Sequence, residues 1–290
     1  MTYQLGIDVG TTTVVAAVRR GDEPGAAEVV PLGTGGATVP SALHLARDGG
    51  VTVGDGALRL AGIDAGRVIR ALARRIGDPT PIALGTGTWT AEDLFARLVR
   101  WVVDRVAEHE SGPAARITVA HPTPWGPQTL ERVAAALAGV DVHATFLAGP
   151  QAVAQAARAD GEPDDTVAVY DLGGGRFDAA VVRRRPAGCG FDVLGRPEGL
   201  ADLGGLDLDE LVWRHVRDGL PEGIVLDARV RRACLRAKET LSTKAEAVVR
   251  VRQGELRGDV RLDRGTFEGL VAAQVDRTVE VLRSTVASAG

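Results

Sequence analysis

Two stretches of this chain place an aspartate near the end of an apolar strand and follow it with a turn poor in obstructing side chains. They are Asp8-Val9-Gly10-Thr11-Thr12-Thr13 and Asp171-Leu172-Gly173-Gly174-Gly175-Arg176. Glycines let backbone N–H groups converge because no side chain blocks the approach, and such a nest suits phosphate oxygens. Hydroxyls of Thr11, Thr12 and Thr13 could add donors, and Asp8 could hold a magnesium ion through water, with Asp171 beside the same ion. The ion would neutralise phosphate charge that otherwise repels the carboxylates. Neither turn is a Walker A loop, which needs a lysine and a Ser/Thr after its glycines. The plainer alternative is that the glycines only permit tight hairpins and the aspartates only cap them.

The two stretches repeat each other. Residues 8–18 (DVGTTTVVAAV) written over residues 171–181 (DLGGGRFDAAV) agree at five of eleven positions without a gap. Matched alanines and valines are cheap, but a shared Asp-x-Gly at two strand ends would set two carboxylates and two amide-rich turns facing each other. Both sites need the same support: a strand leading in, a strand returning, and helices over the sheet.

The elements around them follow from pattern. Tyr3 to Val9 and Val14 to Val18 read as the strands of the first hairpin, and TVAVYDL with FDAAVVRR as those of the second. Helices are predicted over 64–75 and 91–109, the second capped by Thr90 with Asp93 and striped by Leu94, Leu98, Trp101 or Val102, and Val106. A strand at 116–120, a helix at 127–138 with proline first and glycine just beyond, a strand at 142–148 and an alanine-rich segment at 150–159 complete the first half. GEPDD (161–165) reads as a linker. The rest is mostly helical from Ala201, turns strand-like after Lys244, and ends in a helix from Thr266 with Phe267, Leu270, Val271, Val275, Val279 and Leu282 in register.

Composition removes several classes of function. A length of 290 residues with 45% hydrophobic and 25% charged side chains can bury a core without disulfides or structural metals. A formal charge of −4 and few aromatics argue against a nucleic-acid partner. Cys189 and Cys234 lack metal-ligand spacing, and His44, His109, His121, His143 and His215 show no close ligand pattern. Without a long apolar run or an N-terminal basic-apolar segment, the expectation is a soluble cytoplasmic protein with no membrane contact. Only two of the 34 basic residues, Lys238 and Lys244, are lysines, so a lysine at a site is easy to find.

With these motifs in hand, the chain resembles the Hsp70 (DnaK-like) branch of the actin/Hsp70/sugar-kinase superfamily, specifically its N-terminal ATPase domain. LGIDVGTTTVVAAV resembles the first phosphate loop, VYDLGGGRFDAAVV the second, DLGGLDLDELV the segment after it, and LRAKETLS the nucleotide-contacting helix. The resemblance implies an α/β, actin-like (ribonuclease H-like) fold with two lobes around a cleft holding ATP or ADP and Mg2+. It places lobe I at 1–160, with a small insert around 38–88, and lobe II at 161–290, with a mostly helical part around 201–275. Carried over residue by residue, Asp8 and Asp171 organise the magnesium and its waters. Gly10, Thr11 and Thr12 line one phosphate loop, and Gly173, Gly174 and Gly175 the other, with Arg176 beside it. Asp178 is the second aspartate after the glycines. Gly204 and Gly205 lie near sugar and phosphates, while Lys238 and Ser242 belong to the adenosine pocket.

The departures bear on mechanism. Leu58 stands where the family pattern has a catalytic lysine, Ala148 and Gly149 where it has an asparagine and a glutamate, Arg176 where it has threonine, and Leu235 where a glutamate can hold the ribose. Loss of one preorganised donor costs roughly 3 to 4 kcal/mol, about 10² to 10³ in rate, so hydrolysis is expected to be slow or absent. Three functions therefore stay open: a nucleotide-driven conformational switch with protein partners or co-chaperones, a non-catalytic scaffold, and a small-molecule kinase. No peptide-binding domain is recognised. The pattern also expects a further apolar strand and an L-V-G-G-x-[ST]-R-x-P loop after VLRSTVASAG, so the second lobe reads as short of its closing segment.

Overall fold

A computed structural model describes residues 2–21, 27–33, 36–157, 165–186, 190–220, 227–253 and 255–290. Most of the 161–165 linker expectation, and Cys189, lie outside these residues. In the first half the strands are β1 (Tyr3–Val9), β2 (Thr13–Arg20), β3 (Glu28–Val30) and β4 (Thr38–Pro40). Then come β5 (Ala42–Leu45), β6 (Val51–Val53), α1 (Asp55–Leu60), β7 (Val68–Arg70), β8 (Ile82–Leu84), β9 (Gly87–Trp89) and α2 (Ala91–Glu110). The half closes with β10 (Arg116–His121), α3 (Pro127–Ala138), β11 (Ala144–Ala148) and α4 (Gly149–Ala157).

The first sheet is mixed. Its strand order is β11-β10-β1-β2-β3, with β4 also on β2; β1 runs parallel to β10 and antiparallel to β2. Alternation sets its buried face: Tyr3, Leu5, Ile7 and Val9 of β1 and Val14, Ala16 and Val18 of β2 are all buried. Leu94, Phe95, Leu98, Val102 and Val106 of α2 join the same core. Thr90 Oγ1 accepts from the Asp93 amide at 3.0 Å, which fixes the start of α2 as the sequence predicts.

The second half runs β12 (Thr166–Leu172), β13 (Phe177–Arg184), β14 (Phe191–Leu200), α5 (Gly205–Asp218), α6 (Ala228–Leu241), β15 (Glu246–Gln253), β16 (Leu256–Asp263) and α7 (Arg264–Ser288). Strands β12, β13 and β14 form an antiparallel sheet, and β15 and β16 a separate hairpin against α6. Tyr170 of β12 meets Thr278 of α7, hydroxyl to hydroxyl, at 2.7 Å.

Three sequence expectations change. The helix over 64–75 is instead two short 3₁₀ turns flanking β7, because Val68 and Ile69 pair with β5 and Ala71 turns the chain at φ 53°. Strand β14 goes unread in the sequence: Gly195, Pro197 and Gly199 interrupt its pattern. In α7 Val271 is buried and Phe267 and Leu270 pack on the core as the register predicts, but Val275 is 38% exposed, and the fully buried positions beyond it are Thr278 and Thr285.

Candidate functional site

The two Asp-x-Gly hairpins fold in the same register. Asp8 stands opposite Val15 and Asp171 opposite Asp178, equivalent pairs under the sequence repeat. Each turn is closed by the same bond, from Gly10 N to Thr13 O and from Gly173 N to Arg176 O, both 2.9 Å. The closing position is therefore threonine in one hairpin and arginine in the other.

The turns then meet each other. A Cβ on Gly174 would lie 2.5 Å from Thr12 Oγ1, and one on Gly175 would lie 2.5 Å from Thr11 Oγ1. These two contacts exchange under the repeat, so the turns form a self-complementary, two-fold-like junction. Glycine is required at 174 and 175 by that approach. Among the described residues, the amides of Thr11, Thr12, Gly174 and Gly175 donate no hydrogen bond to protein. Four donors are thus left at one junction, the arrangement that accepts an anion.

Carboxylates crowd the same place. Asp8 is reached by water yet enclosed by protein, and this desolvation, followed by the Asp171 charge, pushes its carboxyl above the usual range. Desolvation also raises Asp171, against the pull of Arg176. Asp178 is 5% exposed and is raised by burial too, with Arg176 opposing through its charge and a 2.6 Å bond from Nε to Oδ2. Its other oxygen, Oδ1, has no partner among the described residues. No three acidic, histidine or cysteine side chains there form a direct metal-ligand set. A pair in which the Asp171 charge adds to the cost of ionising Asp8 does fit a cation that keeps its own waters, as magnesium tends to.

Gly204 and Gly205 buttress the second turn from behind. Gly205 N donates to Gly173 O at 2.9 Å and Leu206 N to Gly174 O at 2.8 Å, while Asp207 Oδ2 accepts from Gly204 N at 2.8 Å. A Cβ on Gly204 would come within 2.5 Å of Arg176 N, so α5 can start there only from glycine. Lys238 of α6 reaches this start as well, donating from Nζ to Gly205 O at 3.0 Å and pairing with Asp209 at 2.7 Å. Ser242 lies at the exposed C-terminal end of α6, and no described contact joins it to either turn.

The substituted positions are placed accordingly. Leu58 is half-buried on α1 and Leu235 is 37% exposed on α6. Gly149 opens α4, with a Cβ there 3.5 Å from His121 O. A depression of about 590 Å³ beside Arg236, Thr240, Lys244 and Arg250 touches neither turn. Sequence reasoning missed Asp209 and Arg74 as parts of the site's frame. Arg74 Nη2 lies 3.6 Å from Asp207 Oδ1 and 3.3 Å from Ala201 O, across more than a hundred residues that carry no local signal of the contact.

The Hsp70 protein family model matches residues 85–290, which include the second turn, α5, α6 and α7. The chain belongs to the Hsp70 family. Among its relatives, the chaperone protein DnaK of Halobacterium salinarum strain R1 is 28% identical, over 99% of this chain and 47% of that protein. Chaperone protein DnaK of Thermosipho melanesiensis is 27% identical, over 99% of this chain and 50% of that one. These alignments bring in the first turn, which lies outside the family match. This Hsp70-family chain spans about half the length of the curated relatives it matches, and its mixed sheets and flanking helices suit the superfamily's α/β fold. Among the described residues no helix is long and apolar enough to cross a membrane.

Proposed function

We propose that this chain is a nucleotide-binding switch domain of the Hsp70 type, closing two lobes on ATP or ADP with magnesium. Lobe I would span residues 1–160, with the small insert around 38–88, and lobe II residues 161–290, with the mostly helical part around 201–275. The observation that carries the reading is the junction of the two turns: four unspent amides beside two carboxylates, both raised by burial. Phosphate oxygens would take the amides of Thr11, Thr12, Gly174 and Gly175, and Thr11 and Thr12 would add hydroxyls. Asp8 and Asp171 would hold magnesium, which would supply positive charge to those oxygens. Because the turns touch, ligand entry must part them, which couples binding to the relation between the two sheets. Lys238 supports this arrangement through Gly205, and Ser242, at the end of α6, would belong to the adenosine pocket.

Hydrolysis is weak or absent in this account, since Leu58 and Gly149 offer no group to orient water or support the ion. The output is then a change in affinity for a protein partner, such as a co-chaperone, rather than product. Exposed Leu235 favours the scaffold as the second reading, because a ribose-facing carboxylate is replaced by an apolar side chain. Isothermal titration with ADP and ATP in Mg2+, paired with single-turnover hydrolysis, separates them. Saturable binding with little turnover supports the switch. A folded chain that binds neither nucleotide leaves the scaffold.

A further inference from the structure

The repeat makes one difference between the hairpins chemically pointed. At the turn-closing position Thr13 becomes Arg176, and at the strand position opposite the lead aspartate Val15 becomes Asp178. A cation and a carboxylate enter the second hairpin together, and they are bonded: Arg176 Nε lies 2.6 Å from Asp178 Oδ2, with Asp178 5% exposed. Gly199, opposite Asp178 on β14, leaves the space they occupy; a Cβ there would stand 2.7 Å from Asp178 Oδ1 and 3.5 Å from Arg176 Nη2. The guanidinium also tempers Asp171, the next carboxylate of the recess. Asp178, the strand partner of Asp171, is thus paired within the protein, while its Oδ1 has no partner among the described residues.

We propose that Arg176 is a positioning residue that neutralises Asp178 in place of a divalent ion, so that the recess holds such an ion through Asp8 and Asp171 alone and correspondingly weakly. The inference rests on the nucleotide reading for its biological use, but ion binding can be measured without nucleotide. Mn2+ affinity of the nucleotide-free chain, read by electron paramagnetic resonance, tests it in the wild type, Arg176→Thr, Arg176→Gln and the double variant Arg176→Thr/Asp178→Asn. Both single variants should bind Mn2+ about tenfold more tightly, the scale of one charge-assisted hydrogen bond released to the ion, and the double variant should revert. The glutamine variant keeps side-chain length should threonine disturb the turn. Unchanged or weaker Mn2+ binding in both single variants, or a double variant that stays tight, overturns the proposal. ADP titration of the same proteins separates the two claims. Absent ADP binding with the Mn2+ response intact sinks the nucleotide reading alone, whereas ADP binding with no Mn2+ response sinks this one alone.

Discussion

The two Asp-x-Gly hairpins share register, turn closure and one half of a common junction, yet they are held in different ways. Strand β1 is flanked on both sides, by β2 and by parallel β10, and its buried residues enter a large core under α2. Strand β12 pairs only with β13 among the described residues, leaving Tyr170 and Leu172 42% and 36% exposed. What the second hairpin lacks in strand neighbours it takes from behind its turn: Gly204, Gly205 and Lys238 below, and α7 through Thr278. The same local sequence idea therefore gives a turn anchored by its sheet in one case and by helix termini in the other. The second is the one whose shape should depend on single contacts.

The sharpest test of that difference is a pair of added methyls. Gly204→Ala places a Cβ against the backbone of Gly175 and Arg176 and should cost about 3 kcal/mol in urea unfolding, the upper range for overpacking. Gly10→Ala, whose Cβ would stand 3.0 Å from Thr13 O, should cost about 1 kcal/mol. Equal costs would break the comparison. Next, Lys238→Ala removes the ammonium between Asp209 and Gly205 O and should lose about 2 kcal/mol, measured the same way. If the lysine served ligand alone, stability would not move and only nucleotide affinity would fall.

A smaller effect is expected at α7. Thr278→Val keeps shape but deletes the Tyr170 hydroxyl's partner and should cost about 1 kcal/mol. Tyr170→Phe should cost a similar amount, and the double variant little more than either alone, a non-additivity that chemical denaturation reads directly. The smallest effect concerns Asp8. Its folded carboxyl is raised above its unfolded value by desolvation and Asp171, so the native state binds more protons in the interval between the two. Stability from this group therefore falls as pH rises through the folded value and is recovered below it. Asp8→Asn should raise the melting temperature of the ligand-free chain slightly at neutral pH, and the gain should vanish on acidification toward the ordinary carboxylate range. A gain that persists at acid pH contradicts the assigned cause.

Much of this was legible where one physical signal dominated. The alternation of Tyr3, Leu5, Ile7 and Val9, the Thr90 cap and stripe of α2, and proline at the start of α3 all agree with the fold. The helix expected over 64–75 fails because edge pairing with β5 outweighs helical spacing in a segment of two β-branched residues. Strand β14 was hidden by glycines whose purpose is close approach: Gly195 lies under Ser288 of α7 and Gly199 beside Asp178. At the site, residue types and turns were readable from the repeat, but partners were not. Asp178 is only two residues from Arg176, yet a strand neighbour and a phosphate are equally good partners for a guanidinium in the sequence alone, and no local signal pairs Asp209 with Lys238.

The central claim is that both turns contact one ligand, and hydrogen exchange of the turn amides tests it most directly. On adding ADP with Mg2+, the amides of Thr11 and Thr12 and those of Gly174 and Gly175 should gain protection together and at the same nucleotide concentration. Protection confined to one turn, or none in a folded chain at saturating ADP, would contradict the account.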